Sequence, residues 1–405
     1  MFLSLRNIKF IMKHLTWLEI DLDAIAHNFH AVRERAGKGV AVMGVVKADA
    51  YGHGAPEVAE VLEANGADFL GVATLDEAIQ LRNYGISIPI LILGGTLPWQ
   101  ARDIVAYNIT PAVFCSDTLK TLSYEARRAG KQIKVHLKIE TGMGRYGLFP
   151  DDSLELAREI VSMPNLVLEG AFTHFSTAGT DREYLHKQWH WFNHAVREIK
   201  NLGIQIPYTH VATSAVLIDH PDMKLNLVRP GLMLYGLYPN PSMKGKVDLQ
   251  PALSFKARIV HVKKLLKPLG ISYDKTHQAF PGDVIATLAA GYADGYSRFL
   301  SNRGKVLIKG EEFSVVGRIC MDSMMVFMGK VRQAKPGDVA VIVGRQGEKE
   351  ISVDDIAKLV GTINYEIVSL LGKRHRKVFK RSGKIKEVRT LRDPGFIGRI
   401  QIKGG

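Results

Sequence analysis

The composition of the 405-residue chain is that of an ordinary globular protein, since 46% of the residues are hydrophobic and 23% are charged. This length allows one large domain and a smaller one. No apolar run approaches the ~20 residues that a membrane span requires, and residues 1–14 lack the uninterrupted apolar segment and cleavage site of a signal peptide. The two cysteines, Cys115 and Cys320, lie far apart. We therefore expect a cytoplasmic protein with no membrane contact and no metal site.

The net charge of +14 is concentrated at the C-terminus. Residues 373–405 contain 12 Lys and Arg against Glu387 and Asp393, a net charge of +10. The rest of the chain is close to electrical balance, so nucleic-acid binding is not expected. We interpret residues 381–405 as a solvated basic tail, with a contact to RNA or to an anionic membrane surface as the minority alternative.

After an N-terminal extension over residues 1–14, a repeating strand–helix pattern fills residues 15–240. Helix-like stretches separate the strands and end at Gly66, Gly85, Gly130 and Gly203, as helices often do. Eight such units in one uninterrupted domain indicate an α/β fold, a (β/α)8 TIM-like barrel rather than an open doubly wound sheet. The predicted strands are 40–46, 69–73, 88–93, 110–114, 133–139, 166–171, 208–211 and 225–228.

Residues 241–250 are rich in Pro, Gly, Ser and Lys, and we interpret them as a linker. Short β-type runs separated by Gly, Pro and Asp turns follow, without intervening helices. They predict a mainly-β C-terminal domain over residues 251–380, whose first strand has the N-terminal segment as a candidate partner. The predicted strands are 257–262, 284–290, 305–308, 313–318, 324–327 and 339–343, with short helices at 352–359 and 365–371.

A lysine, Lys47, directly follows the first predicted barrel strand. Because a lysine in that position has to find a counter-charge, lose its proton or form a bond, it is either a side chain that snorkels to water or a Schiff-base nucleophile. Tyr51, Gly52 and Gly54 follow it and could close on a phosphate. Further polar residues follow other strands at the end where barrels place their chemistry: Arg145, His174, His210, Ser214 and Arg229.

Five segments, in this order, resemble the alanine racemases, pyridoxal-phosphate enzymes of fold type III that combine a barrel with a β domain. The resemblance extends over residues 15–380. It implies pyridoxal 5′-phosphate as cofactor, L- and D-alanine as substrates, an isomerase reaction, and a homodimer that makes D-alanine for peptidoglycan. The segments are 45–54 (VVKADAYGHG), 141–147 (TGMGRYG), 229–236 (RPGLMLYG), 291–295 (GYADG) and 317–322 (GRICMD).

The resemblance also implies a role for each matching residue. Lys47 is similar to the lysine that holds the cofactor covalently and takes the α-proton of D-alanine, and Tyr273 to the base on the opposite face. Arg229 is similar to the arginine at the pyridine nitrogen, and an arginine cannot give up its proton. The other implied cofactor-binding residues are Tyr51, His174, Ser214, Gly231, Leu232 and Tyr365. The implied substrate-binding residues are Arg145, Met321 and Asp322, and the supporting residues are Lys138, which many members carbamylate, His210 and Tyr292.

In the family, Tyr273, Met321 and Asp322 come from the partner subunit, so the resemblance implies composite active sites. This sequence departs from the family pattern at Asp274, where glycine is usual, and at Ser369, where cysteine is frequent. A carboxylate at position 274 that faced Tyr273 would slow its half-reaction, whereas Ser369 is expected to be neutral.

Three other functions are compatible with parts of this pattern. A serine or broad-specificity racemase is the nearest, because a small pocket rejects an added hydroxyl by only ~10². A non-catalytic cofactor-binding protein would end after the barrel. A decarboxylase of the same architecture would place a cysteine and acidic residues in the second domain, and Cys320 lies in a different motif.

Overall fold

In a computed structural model, residues 14–330, 334–372 and 374–390 are described. The chain divides into two compact units, and neither is continuous in sequence. Ala24–Ala50 and Ala55–Gln250 form the barrel unit, whereas the second unit contains the described residues up to Asp23, then Tyr51–Gly54, and the described residues from Pro251 onward.

The barrel unit contains eight parallel strands. The first seven pair with one another in chain order, and the eighth pairs with the first. Between the seventh and eighth strands, Arg229 N–H donates to the C=O of Ala212 at 2.7 Å and Thr209 N–H donates to the Asn226 side chain at 2.8 Å, so the barrel is nearly closed. The TIM-like fold predicted from the sequence is confirmed. The strands are β2 (Ala41–Val45), β3 (Phe69–Val72), β4 (Ile90–Ile92), β5 (Thr110–Val113), β6 (Ile133–Lys138), β7 (Leu166–Phe172), β8 (Tyr208–His210) and β9 (Leu227–Val228).

Helices cover the outside of these strands, and apolar side chains such as Met43, Phe69, Leu91 and Leu227 form a buried cluster between strands. The helices are α1 (Leu22–Ala36), α2 (Ala55–Ala64), α3 (Leu75–Tyr84), α4 (Ala101–Ala106), α5 (Ser116–Arg128), α6 (Pro150–Ser162), α7 (Arg182–Asn201) and α8 (Ser214–Asp219). Short 3-10 turns include Pro98–Gln100, Pro221–Met223, Leu232–Tyr235 and Pro241–Met243, the last of which lies in the predicted linker.

The second unit is built on a ten-stranded sheet. Six of its strands form a closed ring, because β17 pairs with both β14 and β10. The strands are β1 (Thr16–Asp21), β10 (Leu253–Lys264), β13 (Val284–Leu288), β14 (Lys305–Ile308), β15 (Glu311–Val316), β16 (Met324–Phe327), β17 (Val339–Gln346), β18 (Lys349–Ile351), β19 (Arg376–Arg381) and β20 (Lys384–Arg389), beside the hairpin β11 (Leu269–Ile271) and β12 (His277–Ala279). Its helices are α9 (Val353–Val360) and α10 (Asn364–Leu370), with 3-10 turns at Tyr273–Lys275, Tyr292–Asp294 and Arg298–Leu300.

The first strand, β1, belongs to this second unit and not to the barrel that residues 15–240 were expected to form. It pairs antiparallel with β10 and parallel with β19, so that Trp17 lies opposite Lys256 on one side and Arg376 on the other. Its apolar residues Leu18 and Ile20 are fully buried in the sheet.

The first part of the predicted basic tail is also a strand, which corrects our interpretation of residues 381–389 as a solvated extension. Ser382 and Gly383 both have positive φ, as a two-residue hairpin turn requires, and β20 returns along β19. Val388 packs against Trp17 and Val378 in a buried cluster, so the apolar residues between the lysines hold the strand in place. Residues 391–405 lie outside the described part of the chain.

No helix in the described part of the chain is both long enough and apolar enough to cross a membrane.

Candidate active site

Lys47 lies at the C-terminal end of the barrel, two residues after β2, and is half-buried. Val46 N–H donates to the C=O of Gly71 at 2.9 Å, so the strand pairing continues up to the residue before the lysine. Burial and the charge of Arg145 lower the pKa of Lys47, while the carboxylate of Glu77 acts in the opposite direction. An amine that loses its proton more readily than in water is a better nucleophile.

The backbone directly after Lys47 is left-handed. Residues 48–51 all have φ of 53° or 54°, a conformation that costs a residue with a side chain about 1–2 kcal/mol. Two carboxylates hold this turn: Ala48 N–H donates to Glu77 at 2.7 Å, and Ala55 N–H donates to Asp49 at 2.8 Å. The turn takes the chain sharply away from the strand axis immediately after the lysine.

Positive side chains are concentrated around Lys138, the last residue of β6. Lys138 is buried, and its Nζ lies 4.4 Å from the centre of the Phe172 ring. Burial lowers the pKa of Lys138 well below its usual value, the charges of Arg229 and Arg145 lower it further, and Glu140 opposes them. A neutral amine at this position avoids placing one more cation beside two arginines.

His174, two residues after β7, lies in the same cluster. Its pKa is well below the usual value because the ring is buried and because Arg229, Lys138, Arg145 and Lys47 all act on it. So much positive charge at one end of a barrel favours an anionic ligand, such as a phosphate or a carboxylate.

Arg229, which directly follows β9, is buried and donates several hydrogen bonds. Its Nη1 donates to Nδ1 of His210 at 2.8 Å and to the His210 C=O at 2.6 Å, and its Nη2 donates to the C=O of Thr173 at 2.8 Å. The His210 ring stacks on Phe172, with the ring centres 4.8 Å apart and the planes 4° apart. Burial lowers the pKa of Arg229 from 12.5 to about 9, so the guanidinium stays charged at neutral pH.

Ser214, Gly231 and Leu232, which were predicted to bind the cofactor phosphate, lie together. The Ser214 hydroxyl accepts N–H bonds from Gly231 at 3.0 Å and from Met233 at 3.2 Å. Leu232, which lies between these two residues in the chain, is the first residue of a 3-10 turn, and Ser214 is the first residue of α8. A serine hydroxyl and backbone N–H groups are common ligands of phosphate oxygens.

The loop that carries Arg145 is organised around one carboxylate. Glu140 accepts N–H bonds from Gly142 at 2.5 Å, Met143 at 2.6 Å and Arg145 at 3.2 Å. Burial raises the pKa of Glu140, but these backbone donors lower it by more. The Arg145 guanidinium is exposed and lies 5.1 Å from the centre of the Tyr146 ring.

In the second unit, Tyr51 and Tyr365 lie side by side, with ring centres 6.0 Å apart. Burial and the neighbouring Tyr365 raise the pKa of Tyr51, and burial raises the pKa of Tyr365 to about 12, so both hydroxyls are donors at neutral pH. A Cβ at Gly52 would lie 2.2 Å from the C=O of Val368, and this close approach requires glycine.

Tyr273 is 65% exposed at the start of a 3-10 turn. The neighbouring Asp274, the departure from the family pattern, forms an ion pair with Arg318 in which Nε lies 3.4 Å from Oδ2. The hydroxyl of Ser272 donates to the Arg318 C=O at 2.6 Å. The Asp274 carboxylate is exposed to water and paired with a cation, and both weaken the electrostatic repulsion between its charge and a negative charge on Tyr273.

The two motif segments that carry Tyr292, Met321 and Asp322 pack on each other. Ala293 N–H donates to the Met321 C=O at 3.0 Å, and Arg374 binds the Asp322 carboxylate with Nη2 2.6 Å from Oδ1. Tyr292 and Met321 are 41% and 52% exposed. The structure therefore brings these three predicted residues together in the second unit.

Two family models match the chain: the alanine racemase N-terminal domain over residues 20–239 and the alanine racemase C-terminal domain over residues 252–379. The chain belongs to the alanine racemase family. It is 40% identical over 377 residues to alanine racemase 1 of Clostridium acetobutylicum, covering 92% of this chain and 97% of the relative. The alanine racemase of Desulforamulus reducens is 43% identical over 371 residues, which is 91% of this chain and 100% of that protein. The structure of the alanine racemase of Clostridium difficile 630 is similar with a TM-score of 0.89 and 38% identity, over 93% of this chain and 98% of that one.

Alanine racemases use pyridoxal 5′-phosphate, and the side chains of the barrel unit fit this cofactor. Lys47 offers an amine whose pKa is lowered. Ser214 and Gly231 offer a hydroxyl and an N–H for the phosphate, and Arg229 offers a permanent donor for an unprotonated ring nitrogen. The cations around His174 balance the negative charge that this cofactor and an amino-acid substrate bring.

The sequence analysis did not identify five residues of this alanine racemase that organise the predicted site. Three of them had a readable signal. Glu77 forms with Thr74 the Thr-x-x-Glu capping box of α3, and its carboxylate also accepts the N–H of Ala48 in the turn after Lys47. His136 lies between the apolar residues Val135 and Leu137 of β6, and Glu169 is the one charged residue of β7, which are also signals. The five residues are Glu77, His136, Glu140, Glu169 and Arg374.

Proposed function

We propose that the chain is a pyridoxal-phosphate-dependent alanine racemase that interconverts L-alanine and D-alanine with Lys47 and Tyr273 as its two bases. The observation that supports this proposal most strongly is the position of Lys47 and its lowered pKa. Lys47 lies two residues after β2 and has a lowered pKa, in a unit that also contains Lys138, His174 and Arg229.

The cofactor, when bound, supplies an electron-withdrawing ring that makes the α-proton of the substrate acidic. In our proposal Lys47 takes that proton from D-alanine on one face of the α-carbon, and Tyr273 takes it from L-alanine on the other face. The base that has not taken the proton returns one to the opposite face, so the net result is inversion. Arg145 binds the substrate carboxylate as a cation, with Met321 and Asp322 beside the substrate.

The remaining predicted residues hold the cofactor. Arg229 would donate to its ring nitrogen and could not transfer a proton there, so the ring would withdraw less electron density. His174 would contact the ring, and Tyr292 would support the substrate side. The hydroxyls of Tyr51, Ser214 and Tyr365 and the backbone N–H groups of Gly231 and Leu232 would bind the phosphate.

Lys138 is proposed to be carbamylated, as in many members of the family. Its buried amine is held toward the neutral form by burial and by Arg229 and Arg145, and a neutral amine can add to CO₂ and lose a proton. The product carries a negative charge between the arginines. High-resolution electron density of the active protein that showed an unmodified amine at Lys138 would contradict this assignment.

We further propose that the enzyme works as a homodimer in the cytoplasm and supplies D-alanine for peptidoglycan. In this dimer Tyr273, Met321 and Asp322 complete the site of the partner subunit. Relative turnover of alanine, serine and lysine tests the substrate, and turnover of serine equal to that of alanine would favour a broad-specificity racemase.

The decisive experiment combines absorbance with a D-alanine assay. Lys47→Ala is expected to lose the absorbance of the covalently bound cofactor and to lower kcat by about 10⁴-fold or more. Lys200→Ala, an exposed lysine in the last turn of α7, serves as the matched control and should leave both unchanged. Tyr273→Phe should retain the absorbance but lower kcat by about 10² to 10⁴. Unchanged racemisation in Tyr273→Phe would support a function other than two-base racemisation.

A further inference from the structure

A line of buried polar side chains extends through the barrel unit from Arg229. Nη1 of Arg229 lies 2.8 Å from Nδ1 of His210, and Nε2 of His210 lies 2.8 Å from Nδ1 of His136. Nε2 of His136 lies 3.3 Å from Oε2 of Glu169, whose other oxygen lies 2.6 Å from Nζ of Lys134. Both histidines are fully buried, and Glu169 is 5% exposed.

The chemistry of the first group fixes the direction of every hydrogen bond in this line. A guanidinium can only donate, so Nδ1 of His210 is an acceptor and the proton of its neutral ring is on Nε2. That proton is donated to Nδ1 of His136, which leaves the proton of His136 on Nε2. From there it is donated to Glu169, a carboxylate that can only accept. Arg229 and Glu169 therefore impose the same direction from the two ends.

Both imidazoles are neutral in this arrangement, because each ring accepts a hydrogen bond at Nδ1 and donates one from Nε2. Burial lowers the pKa of His136, while Glu169 raises it and the charges of Arg229 and Lys134 lower it. Burial, followed by Arg229, His136 and Lys138, lowers the pKa of His210 well below the usual value. At neutral pH neither ring carries a second proton.

The backbone of β6 and β7 makes room for this line. Val135 pairs with Leu168 and the next residue, His136, pairs with Gly170, so Glu169 is the extra residue of a bulge. A bulge of this kind redirects a side chain. At Gly170 a Cβ would lie 2.6 Å from Cε1 and Nδ1 of His136, so any larger residue would displace the imidazole.

We propose that His136 and Glu169 are positioning residues of the racemase site. Glu169 fixes the tautomer of His136, His136 fixes the tautomer of His210, and His210 then presents an acceptor to Arg229. This inference rests on the proposed function, in which Arg229 donates to the cofactor ring nitrogen. Neither His136 nor Glu169 is itself assigned a contact with substrate or cofactor.

Removal of the acceptor at His136 has a defined consequence. Nε2–H of His210 loses its partner, so the His210 proton can move to Nδ1, where it meets the Nη1–H donor of Arg229. Two donors that face each other repel, and the guanidinium is displaced. Because Arg145 and not Arg229 is assigned to the substrate carboxylate, kcat falls while KM for alanine changes little.

The first test reads the tautomers directly in the holoenzyme. Solid-state ¹⁵N NMR of the histidine-labelled protein, assigned with His136→Asn and His210→Gln, should show each ring with one protonated nitrogen, Nε2, from about pH 6 to about pH 9. A proton on Nδ1 of either ring, or a doubly protonated ring at neutral pH, would overturn the proposal.

The second test separates positioning from packing. His136→Leu is expected to lower kcat about tenfold, whereas His136→Asn, whose Oδ1 can still accept from His210, should recover kcat to within about threefold of wild type. Ile199→Ala in α7 removes a fully buried apolar side chain that takes no part in these hydrogen bonds, and it should lower Tm with little change in kcat. If Leu and Asn at position 136 lowered kcat equally and in proportion to Tm, the role would be structural and the proposal would fail.

The readouts also separate this inference from the proposed function. Wild-type protein that lacked bound cofactor or alanine racemisation would remove the proposed function, and the NMR would still report the direction of the line. An active wild-type enzyme with His136→Leu kinetics equal to wild type would overturn only the positioning role.

Discussion

The position of Arg145 depends on Glu140, a single carboxylate that accepts three N–H bonds within the loop after β6. Hydrogen bonds to a charged acceptor contribute about 1.5–3 kcal/mol each, so these bonds contribute strongly to the conformation of the loop. The loop sequence alone predicted the arginine but not the residue that holds it.

Glu140→Ala is therefore expected to raise KM for alanine about tenfold, because a displaced Arg145 loses about 1.4 kcal/mol of carboxylate binding. Glu140→Gln, which can still accept but carries no charge, should fall between Ala and wild type. Steady-state kinetics in both directions measure the effect. Glu155→Ala, an exposed residue of α6 paired with Arg158, is the control, and an equal rise in KM there would show that the change is not specific to this loop.

At the residue scale, the sequence singled out Lys47 and Arg229 because their residue types are unusual at a strand end, and the structure places them just after β2 and β9. Prediction from sequence did not reach His136 or Glu169, whose pairing depends on a bulge and on the space beside Gly170. Those features arise only when β6 and β7 are placed side by side.

At the scale of elements, the left-handed turn after Lys47 stores backbone strain that can be measured. Ala48 is exposed and has φ of 53°, a region that glycine enters without a steric penalty. Ala48→Gly should therefore increase the free energy of unfolding by up to about 1 kcal/mol.

The same substitution in a right-handed helix should have the opposite sign. Ala31→Gly in α1 is expected to lower the free energy of unfolding by about 1 kcal/mol. Urea unfolding followed by circular dichroism compares the two variants. Equal destabilisation by both would mean that residues 48–51 are not left-handed in solution.

The barrel strands were predicted to within two residues at most ends, because an apolar run bounded by glycine is a local signal. The strand β20 was not predicted, since it carries many charges. The N-terminal segment was a candidate partner for the first strand of the β domain, and β1 does pair with β10, but the second partner of β1, β19, was not predicted. Trp17 pairs with Lys256 and Arg376, and β20 contains three basic residues within six positions. Local patterns cannot report pairings of that kind.

At the scale of the whole molecule, one ion pair network joins β1, β10 and β19. The Glu19 carboxylate lies 2.9 Å from Nζ of Lys256 and 2.5 Å from Nζ of Lys380, and Trp17 donates to it at 3.0 Å. Burial raises the pKa of Glu19, but the two lysines lower it by more, so that it falls from 4.5 to about 2.

Because the folded pKa is below the unfolded one, this carboxylate stabilises the protein above about pH 4.5, and the stabilisation is lost as pH falls toward about 2. The shift corresponds to about 3 kcal/mol. Glu19→Gln should be less stable than wild type by about that amount at pH 7, with a difference that shrinks toward pH 2. Glu311→Gln, an exposed partner of Lys349, should show little difference at any pH; a constant Glu19→Gln deficit would contradict the linkage.

The proposed composite site predicts that two inactive variants regain activity when they form a heterodimer. Lys47 and Tyr273 would act in one site but belong to different chains, so a heterodimer of Lys47→Ala and Tyr273→Ala contains one site with both substitutions and one with neither. Random pairing gives about half heterodimers, and each would have one intact site, so the mixture should recover about a quarter of wild-type kcat per site. Co-expression with two different affinity tags and purification on both should raise this to about half. If both bases came from the same chain, every site in the heterodimer would lack one of them, and the purified heterodimer would be as inactive as the two parents.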